Sequence, residues 1–170
     1  EESDKMTGLV EELLEISKLD VKHACGKMEV CDVRDVLDGC LADVDMPAKQ
    51  RGISIAVNFP EQAVNVLCCE AQLRRAFLNI LTNGLRYARH TLGLSCRTER
   101  RCAVITIHDD GRGIDDSDLD HIFDRFYSGR NGNTGIGLAL AREVITLHKG
   151  TISAENRNGG VFEVRLPLAP

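Results

Sequence analysis

The sequence predicts an α+β fold in which helices cover one face of a mostly antiparallel sheet. Three long runs, at 33–44, 70–86 and about 135–148, have apolar residues at helical spacing. Two pairs of alternating runs, beginning at 91–97 and at 151–155, are each joined to a following run by a short turn typical of a hairpin. A chain of 170 residues with 43% hydrophobic residues is long enough for one well-filled core and a short appendage.

The charge and hydropathy of the chain exclude several kinds of partner. The formal net charge is -5, and lysine and arginine form no continuous block. We therefore expect no nucleic-acid groove and no anionic membrane surface as the main partner. No apolar run has the length that spans a bilayer, and the first residues are acidic where a signal peptide is basic. We expect no direct membrane contact by this chain.

The cysteine pattern predicts reduced thiols. The number of cysteines is odd and none forms a Cys-x-x-Cys pair: they are Cys25, Cys31, Cys40, Cys68, Cys69, Cys96 and Cys102. Neither a closed disulfide framework nor a zinc ribbon fits this spacing. A metal site formed by His23, Cys25 and Cys31 lacks a second pair of ligands. We expect reduced, mostly buried cysteines and a cytosolic compartment.

The N-terminal segment, residues 1–23, predicts an amphipathic helix. Met6, Leu9, Leu13 and Ile16 alternate at spacings of three and four, which is a heptad seam. The seam covers only two heptads, fewer than an independent coiled coil needs. Two interpretations fit this pattern, the end of a longer pairing helix and a plain surface helix.

The next segment predicts a helix followed by two strands. Asp32 can cap a helix over residues 33–44, and Gly52 is expected to end it. Alternating residues at 53–59 and at 64–68 predict the two strands.

The longest predicted helix, residues 70–86, carries two parallel stripes. One stripe is apolar, as expected of a helix that packs on a sheet. Asn79, Asn83, Arg86 and Tyr87 lie at i, i+4, i+7 and i+8, so they share a narrow strip beside the apolar face. Asparagine is unfavourable inside a helix unless its side chain has a binding role. The strip therefore indicates a functional surface.

A glycine-containing turn follows the predicted strand at 103–108. Asp109 stands where the strand ends, and Gly111 and Gly113 free the backbone to approach a ligand closely. A nucleotide pocket is one interpretation of this Asp-x-Gly-x-Gly pattern. A simple hairpin turn is the other, and the pattern alone does not decide between them.

The last third of the chain predicts a short helix, a loop, a helix and a hairpin. Apolar spacing indicates the short helix at 118–126, whereas residues 128–133 contain no apolar residue and predict a mobile surface loop. The Thr-Gly-Ile-Gly sequence at 134–137 opens the final helix. Asn158 and Gly159 form the turn of the final hairpin.

Four motifs in this order resemble the ATP-binding catalytic domain of bacterial two-component sensor histidine kinases, in the superfamily that also holds gyrase-type and mismatch-repair ATPases. The resemblance covers about residues 24–168. Residues 78–83 look like the N box, 109–114 like the first glycine box, 122–127 like the F box and 134–138 like the second glycine box.

The resemblance implies a specific architecture. It is a two-layer α/β sandwich whose mixed, mostly antiparallel sheet is covered on one face by about three helices, with an ATP lid loop. Residues 1–23 would be the C-terminal part of a dimerisation helix and a linker. Residues 24–170 would form the ATP-binding catalytic domain.

The resemblance also implies roles for individual residues in binding ATP or ADP. Asp109 would accept a hydrogen bond from the adenine amino group, where guanine offers a carbonyl oxygen instead. Asn83, helped by Asn79, would hold Mg²⁺ through neutral oxygens. Arg86 would contact phosphate and Tyr87 would line the adenine.

The two glycine boxes complete the implied site. Gly111 and Gly113 would let the base lie against the backbone, and Gly135 and Gly137 at the helix start would offer N–H groups to the phosphates. Arg130 is the only cation of the lid. The implied nucleotide-binding set also includes Ile114, Phe126, Thr134, Ile136 and Leu138, of which Phe126 and Leu138 are expected to support the lid rather than contact the ligand.

The residue at position 79 favours one activity within the superfamily. The ATP-hydrolysing members resemble one another in having a glutamate there as general base, whereas Asn79 cannot accept a proton at neutral pH. The expected reaction is therefore phosphoryl transfer to a histidine, with Asn79, Asn83, Arg86 and Arg130 as the catalytic set. A catalytically silent nucleotide-binding module is one alternative, and an ATPase or serine kinase of the same fold is another.

The expected partners follow from the histidines. None of the five lies in the His-Glu or His-Asp context of an acceptor, so they are expected to be ordinary surface or strand residues: His23, His90, His108, His121 and His148. The acceptor would lie on the dimerisation helices of the same kinase, a homodimer when intact, and the phosphoryl group would pass to a response regulator. The domain would be cytoplasmic in a membrane-anchored protein.

Overall fold

The computed structural model describes residues 2–20, 26–127 and 136–170. The helices are α1 (Glu2–Asp20), α2 (Val33–Gln50), α3 (Glu70–Tyr87), α4 (Asp116–Leu119) and α5 (Gly137–Leu147). The strands are β1 (Glu29–Asp32), β2 (Ser54–Asn58), β3 (Asn65–Cys68), β4 (Thr91–Glu99), β5 (Cys102–Asp109), β6 (Thr151–Asn156) and β7 (Gly160–Pro167).

The main sheet has five strands in the order β2-β4-β5-β7-β6. β2 and β4 run parallel, and the other neighbouring strands run antiparallel. A second, two-stranded sheet pairs β1 with β3. The prediction of a mixed, mostly antiparallel sheet is confirmed.

The core lies between the main sheet and three helices on one side of it. α3 lies at its centre, where it packs against α2, α5 and β5. Phe77, Ile80 and Leu81 of α3 and Leu94 and Ile107 of the sheet are fully buried. Each such side chain contributes about 1.5–3 kcal/mol on burial. The predicted two-layer sandwich with about three helices on one face is confirmed.

Asp32 joins the start of α2 to the β1–β3 sheet. Its carboxylate accepts hydrogen bonds from the backbone N–H groups of Arg34 at 3.0 Å and Val64 at 3.1 Å, so it caps the helix as predicted. Its Oδ2 also lies 2.7 Å from Nη2 of Arg34. The Arg34 guanidinium, with both backbone N–H groups, holds the pKa of Asp32 below its ordinary value despite opposing desolvation.

The predicted helix at 118–126 is wrong in extent. The helix is α4, which ends at Leu119, and turns follow it up to Phe126, whose φ of 65° is left-handed. The apolar spacing at Ile122 and Phe123 arises from packing of the turns on the core. The Phe123 ring packs edge-on against Phe162 of β7, with ring centroids 6.1 Å apart. The apolar residues in this segment therefore reflect packing of turns on the core and not the periodicity of a helix.

The prediction that every cysteine is reduced is also wrong. Cys31 and Cys68 form a disulfide with their Cα atoms 6.6 Å apart. The antiparallel register of β1 and β3 brings both side chains to the same face of the small sheet. Among the described residues Cys40, Cys69, Cys96 and Cys102 remain free. Burial raises the pKa of Cys40 to about 12, so this thiol stays protonated.

His148 is buried, which corrects the expectation of a surface or strand residue. Its Nδ1 lies 2.7 Å from the carbonyl oxygen of Val144, and the backbone N–H of Cys69 donates to its Nε2 at 3.0 Å. This arrangement requires a neutral ring with the proton on Nδ1. His148 therefore ties the end of α5 to the residue that precedes α3.

α1 is a helix, as predicted, and its Met6, Val10 and Leu13 side chains are exposed. Residues 21–25, which include the predicted domain boundary together with His23 and Cys25, lie outside the described residues. The boundary stays a prediction. No helix in the described part of the chain has the length and apolarity needed to cross a membrane.

Asp32→Ala is expected to lower the free energy of unfolding by about 2 kcal/mol, because the α2 cap and the Val64 N–H lose their acceptor. The folded-state pKa of Asp32 lies below 3.8, so this contribution is present above that pH and is lost as the pH falls through the lowered pKa. Urea unfolding of both proteins, from about pH 7 down to about pH 2, measures this. Asp38→Ala, an exposed position on α2, is the control. A gap between Asp32→Ala and wild type that persists undiminished in acid contradicts the assignment.

Removal of the Cys31–Cys68 bridge is expected to lower the free energy of unfolding by about 3–4 kcal/mol, because a loop with a sequence separation of 37 is no longer closed. The measurement is urea unfolding of the double variant Cys31→Ser, Cys68→Ser beside wild type, with Cys102→Ser as the unbridged control. A non-reducing peptide map should contain the linked pair of peptides. Finding both thiols alkylated in unreduced wild type would show that the bridge is absent.

Candidate functional site

Asp109 lies at the end of β5 and is only 4% exposed. Its Oδ1 accepts hydrogen bonds from the backbone N–H groups of Gly111 at 2.8 Å and Gly160 at 3.3 Å. Within the described ranges of the chain, no protein donor reaches its Oδ2. The carboxylate is therefore fixed through one oxygen, and the other can accept a hydrogen bond from a ligand.

The turn after Asp109 lies against the last turn of α3. A Cβ atom at Gly111 would come within 2.2 Å of the carbonyl oxygen of Tyr87. Two residues further on, Gly113 has a φ of 85°, a region that favours glycine. Backbone contact therefore brings Tyr87 and the Asp109 turn together.

Asn156 holds the end of this turn from the β6 side. Its Oδ1 accepts a hydrogen bond from the Ile114 N–H at 2.7 Å, and its Nδ2 donates to the Ile114 carbonyl at 2.5 Å. Asn156 and Gly160 were both missed as site residues. The adjacent Asn158-Gly159 pair indicates only a hairpin turn, and the partners of Asn156 and Gly160 are more than 40 residues away in the chain.

The polar strip on α3 faces the start of α5. The Asn79 side chain donates to the carbonyl oxygen of Gly137 at 3.1 Å, which joins the two helices. Asn83, one turn further along, is half-buried, and its amide makes no hydrogen bond to any described residue. Arg86 is exposed and Tyr87 half-buried. An amide without a partner among the described residues can serve a ligand or a metal ion.

The start of α5 offers backbone donors rather than side chains. α5 begins at Gly137, and its N-cap, Ile136, makes no side-chain capping bond. The first N–H groups of such a helix lack intrahelical acceptors. The Ile136 side chain is fully buried in the core, so only its backbone can face a ligand. Leu138 is half-buried and packs against the core, in keeping with support rather than contact.

One segment of the predicted site is assigned by its sequence position alone. Residues 128–135, which include Arg130, Thr134, Gly135 and the predicted lid, lie outside the described residues. Phe126 stands two residues before this segment and is 56% exposed. The structure thus joins Asn79 to Gly137, Tyr87 to Gly111 and Gly111 to Asp109 by direct contacts, and α3 carries both Asn79 and Tyr87.

The residues present fit a magnesium ion that has few protein ligands. In the described part of the chain, no group of three or more His, Cys, Asp or Glu side chains is arranged to hold a metal. Magnesium often takes only one or two protein oxygens and completes its shell with water and substrate phosphates. The amide oxygens of Asn83 and Asn79 suit that arrangement.

Comparisons with known proteins bear on the family of this chain. A family model described as histidine kinase-, DNA gyrase B-, and HSP90-like ATPase matches residues 69–170. The sensor histidine kinase TrcS of Mycobacterium tuberculosis is 34% identical over 181 residues, which cover 98% of this chain and 35% of TrcS. The sensor histidine kinase MtrB of Mycobacterium bovis is 29% identical over 176 residues, which cover 98% of this chain and 31% of MtrB.

The solved structures include a similar fold. Histidine kinase AdeS of Acinetobacter baumannii aligns with a TM-score of 0.78 at 22% identity, over 99% of this chain and 81% of the AdeS chain. This likeness supports the fold alone, because the identity is low. The chain spans about a third of the length of the curated relatives TrcS and MtrB.

Gly111→Ala is expected to lower the free energy of unfolding by about 1–3 kcal/mol, because the new methyl group would overlap the Tyr87 carbonyl. Gly93→Ala is the matched control, since a Cβ atom there meets only the His108 carbonyl oxygen at an ordinary 3.7 Å. We expect that control to change stability by less than about 0.5 kcal/mol. Urea unfolding measures both variants. Equal stability of the two would contradict the close approach.

Proposed function

Because the chain belongs to the family of histidine kinase-, DNA gyrase B- and HSP90-like ATPases, we propose that it binds Mg-ATP and transfers the γ-phosphoryl group to a histidine on the dimerisation helix of the same kinase. The observation that carries the proposal is the buried Asp109 carboxylate, fixed through Oδ1 and open at Oδ2. The curated relatives TrcS and MtrB are sensor histidine kinases.

Asp109 gives the site its preference for adenine. Its Oδ2 would accept a hydrogen bond from the exocyclic amino group of the base. Guanine presents a carbonyl oxygen at that position, so two acceptors would face each other. Gly111 lets the turn contact the Tyr87 backbone, and the half-buried Tyr87 ring would line the base.

The phosphates would be bound between α3 and the start of α5. Asn83, with the Oδ1 of Asn79, would hold Mg²⁺, and Arg86 would contact phosphate. The bound ion would neutralise charge on the phosphates. N–H groups at Gly137 would donate to phosphate oxygens at a helix N-terminus. We extend the site to Arg130, Thr134 and Gly135, which follow from the motif alone.

Asn79 favours transfer to histidine over hydrolysis. An amide cannot take a proton from water at neutral pH, so water would be a poor nucleophile in this site. An imidazole nitrogen needs less activation. The new N–P bond forms at the γ-phosphorus while its bond to the β-phosphate oxygen breaks and ADP leaves. The phosphoryl group would then pass to an aspartate of a response regulator.

The exposed apolar side chains of α1 support a role in dimer formation. Met6, Val10 and Leu13 lie at i, i+4 and i+7, so they share one face of the helix. Exposed apolar stripes of this spacing pair with another helix. We propose that α1 is the end of a dimerisation helix in a homodimeric kinase, whose catalytic domain is cytoplasmic and which is anchored in the membrane.

The test of the whole proposal mixes this chain with Mg-ATP labelled at the γ-phosphate and the separately made dimerisation helices of the kinase. We expect acid-labile, base-stable label on the histidine of those helices. ATP binding without transfer would indicate a regulatory nucleotide-binding module. Rapid steady hydrolysis by this chain alone would indicate an ATPase and overturn the argument from Asn79.

Asp109→Asn is expected to weaken ATP binding by about 30- to 100-fold, equivalent to about 2–3 kcal/mol. The backbone N–H groups of Gly111 and Gly160 would keep the amide oxygen, so the amide N–H₂ would face the adenine amino group. The preference for ATP over GTP should fall with it, as titration calorimetry with both nucleotides measures. Asp120→Asn, an exposed position, is the control. Unchanged ATP affinity would overturn the adenine assignment.

A further inference from the structure

Asp110, the neighbour of Asp109, is bonded to the segment that follows α3. Its Oδ1 accepts hydrogen bonds from the backbone N–H groups of Arg89 at 2.7 Å and His90 at 3.1 Å. Its Oδ2 lies 3.0 Å from the same His90 nitrogen. Desolvation raises the pKa of Asp110, but the backbone donors outweigh it and lower the pKa overall. Asp110 is therefore a charged acceptor that ties the end of β5 to the residues after α3.

Arg51 bonds to the last turn of α3 itself. It is the C-cap residue of α2, and its guanidinium donates to the backbone carbonyl groups of Leu85 and Arg86. Carbonyl groups in the last turn of a helix have no intrahelical donor, and a cation there is favoured by the helix dipole. The basic side chain of Arg51 thus holds the last turn of α3, and the acidic side chain of Asp110 holds the two residues that follow the α3 C-cap.

The end of α3 that these two side chains hold is a functional part of the molecule. It carries Arg86 and Tyr87, and the Tyr87 carbonyl contacts the turn at Gly111. A small displacement of this helix end would move Arg86 and Tyr87 relative to Asp109. Displacements of this kind weaken ligand binding without removing any ligand contact.

We propose that Asp110 and Arg51 are positioning residues that set the end of α3, with Arg86 and Tyr87, at the correct distance from Asp109 for an adenine nucleotide. The inference rests on the proposed function. Neither side chain belongs to the nucleotide-contacting set, and both act through backbone groups. The contacts with Arg89, His90, Leu85 and Arg86 are their means of action.

The experiment measures the dissociation constant of Mg-ATP by titration calorimetry for wild type, Asp110→Ala, Asp110→Asn and Arg51→Met. Thermal unfolding followed by circular dichroism identifies a temperature at which all the proteins are folded, and the titrations are done there. We expect Asp110→Ala and Arg51→Met to bind about tenfold more weakly. Asp110→Asn should lie between, because it keeps one acceptor oxygen. Asp116→Ala removes the same charge at an exposed position and should bind like wild type.

The outcomes separate this inference from the proposed function. Wild type that binds no adenine nucleotide would overturn both. The positioning role alone would be overturned if wild type binds Mg-ATP and the folded Asp110→Ala and Arg51→Met variants, although less stable, bind it equally well. If Asp110→Ala does not fold, Arg51→Met carries the test through the last turn of α3, and unchanged affinity in that variant contradicts the proposal.

Discussion

The turn after β5 can lie against α3 only because residue 111 has no side chain. Any Cβ atom there would overlap the Tyr87 carbonyl. At the β6–β7 hairpin, a Cβ atom at Gly159 would come within 1.9 Å of the carbonyl oxygen of Asp109. The turn is therefore confined between a helix end and a hairpin, and backbone atoms form both contacts. The Asn156 side chain adds a third contact, at Ile114.

This confinement connects residues that are distant in the sequence. Asp109 is oriented by N–H groups on both sides of it, from Gly111 and Gly160, before any ligand arrives. The polar strip of α3 is brought beside it by the contact at Tyr87, and the Asn79 amide adds the start of α5. A preorganised acceptor of this kind needs no rearrangement on binding, which lowers the entropic cost of association.

The sequence predicts those parts whose signals are local. The apolar period identified α3, and alternation identified β4 and β5, because each is one element with one buried face. The sequence prediction failed for the short helix, where packing on Phe162 determines the conformation. It also failed for the Cys31–Cys68 bridge, which depends on strand register. The partners of Asp110 lie about 20 residues earlier in the chain, so no local pattern reports them.

The disulfide also changes how force would travel through the chain. Cys31 follows the segment that leads from α1, and Cys68 lies two residues before α3 begins. The bridge links covalently two residues with a sequence separation of 37, and the segment between them includes α2 and β2. A pull applied at residue 30 reaches the start of α3 through one S–S bond. In the oxidised protein, α2 and β2 form a closed covalent ring that carries little of the tension.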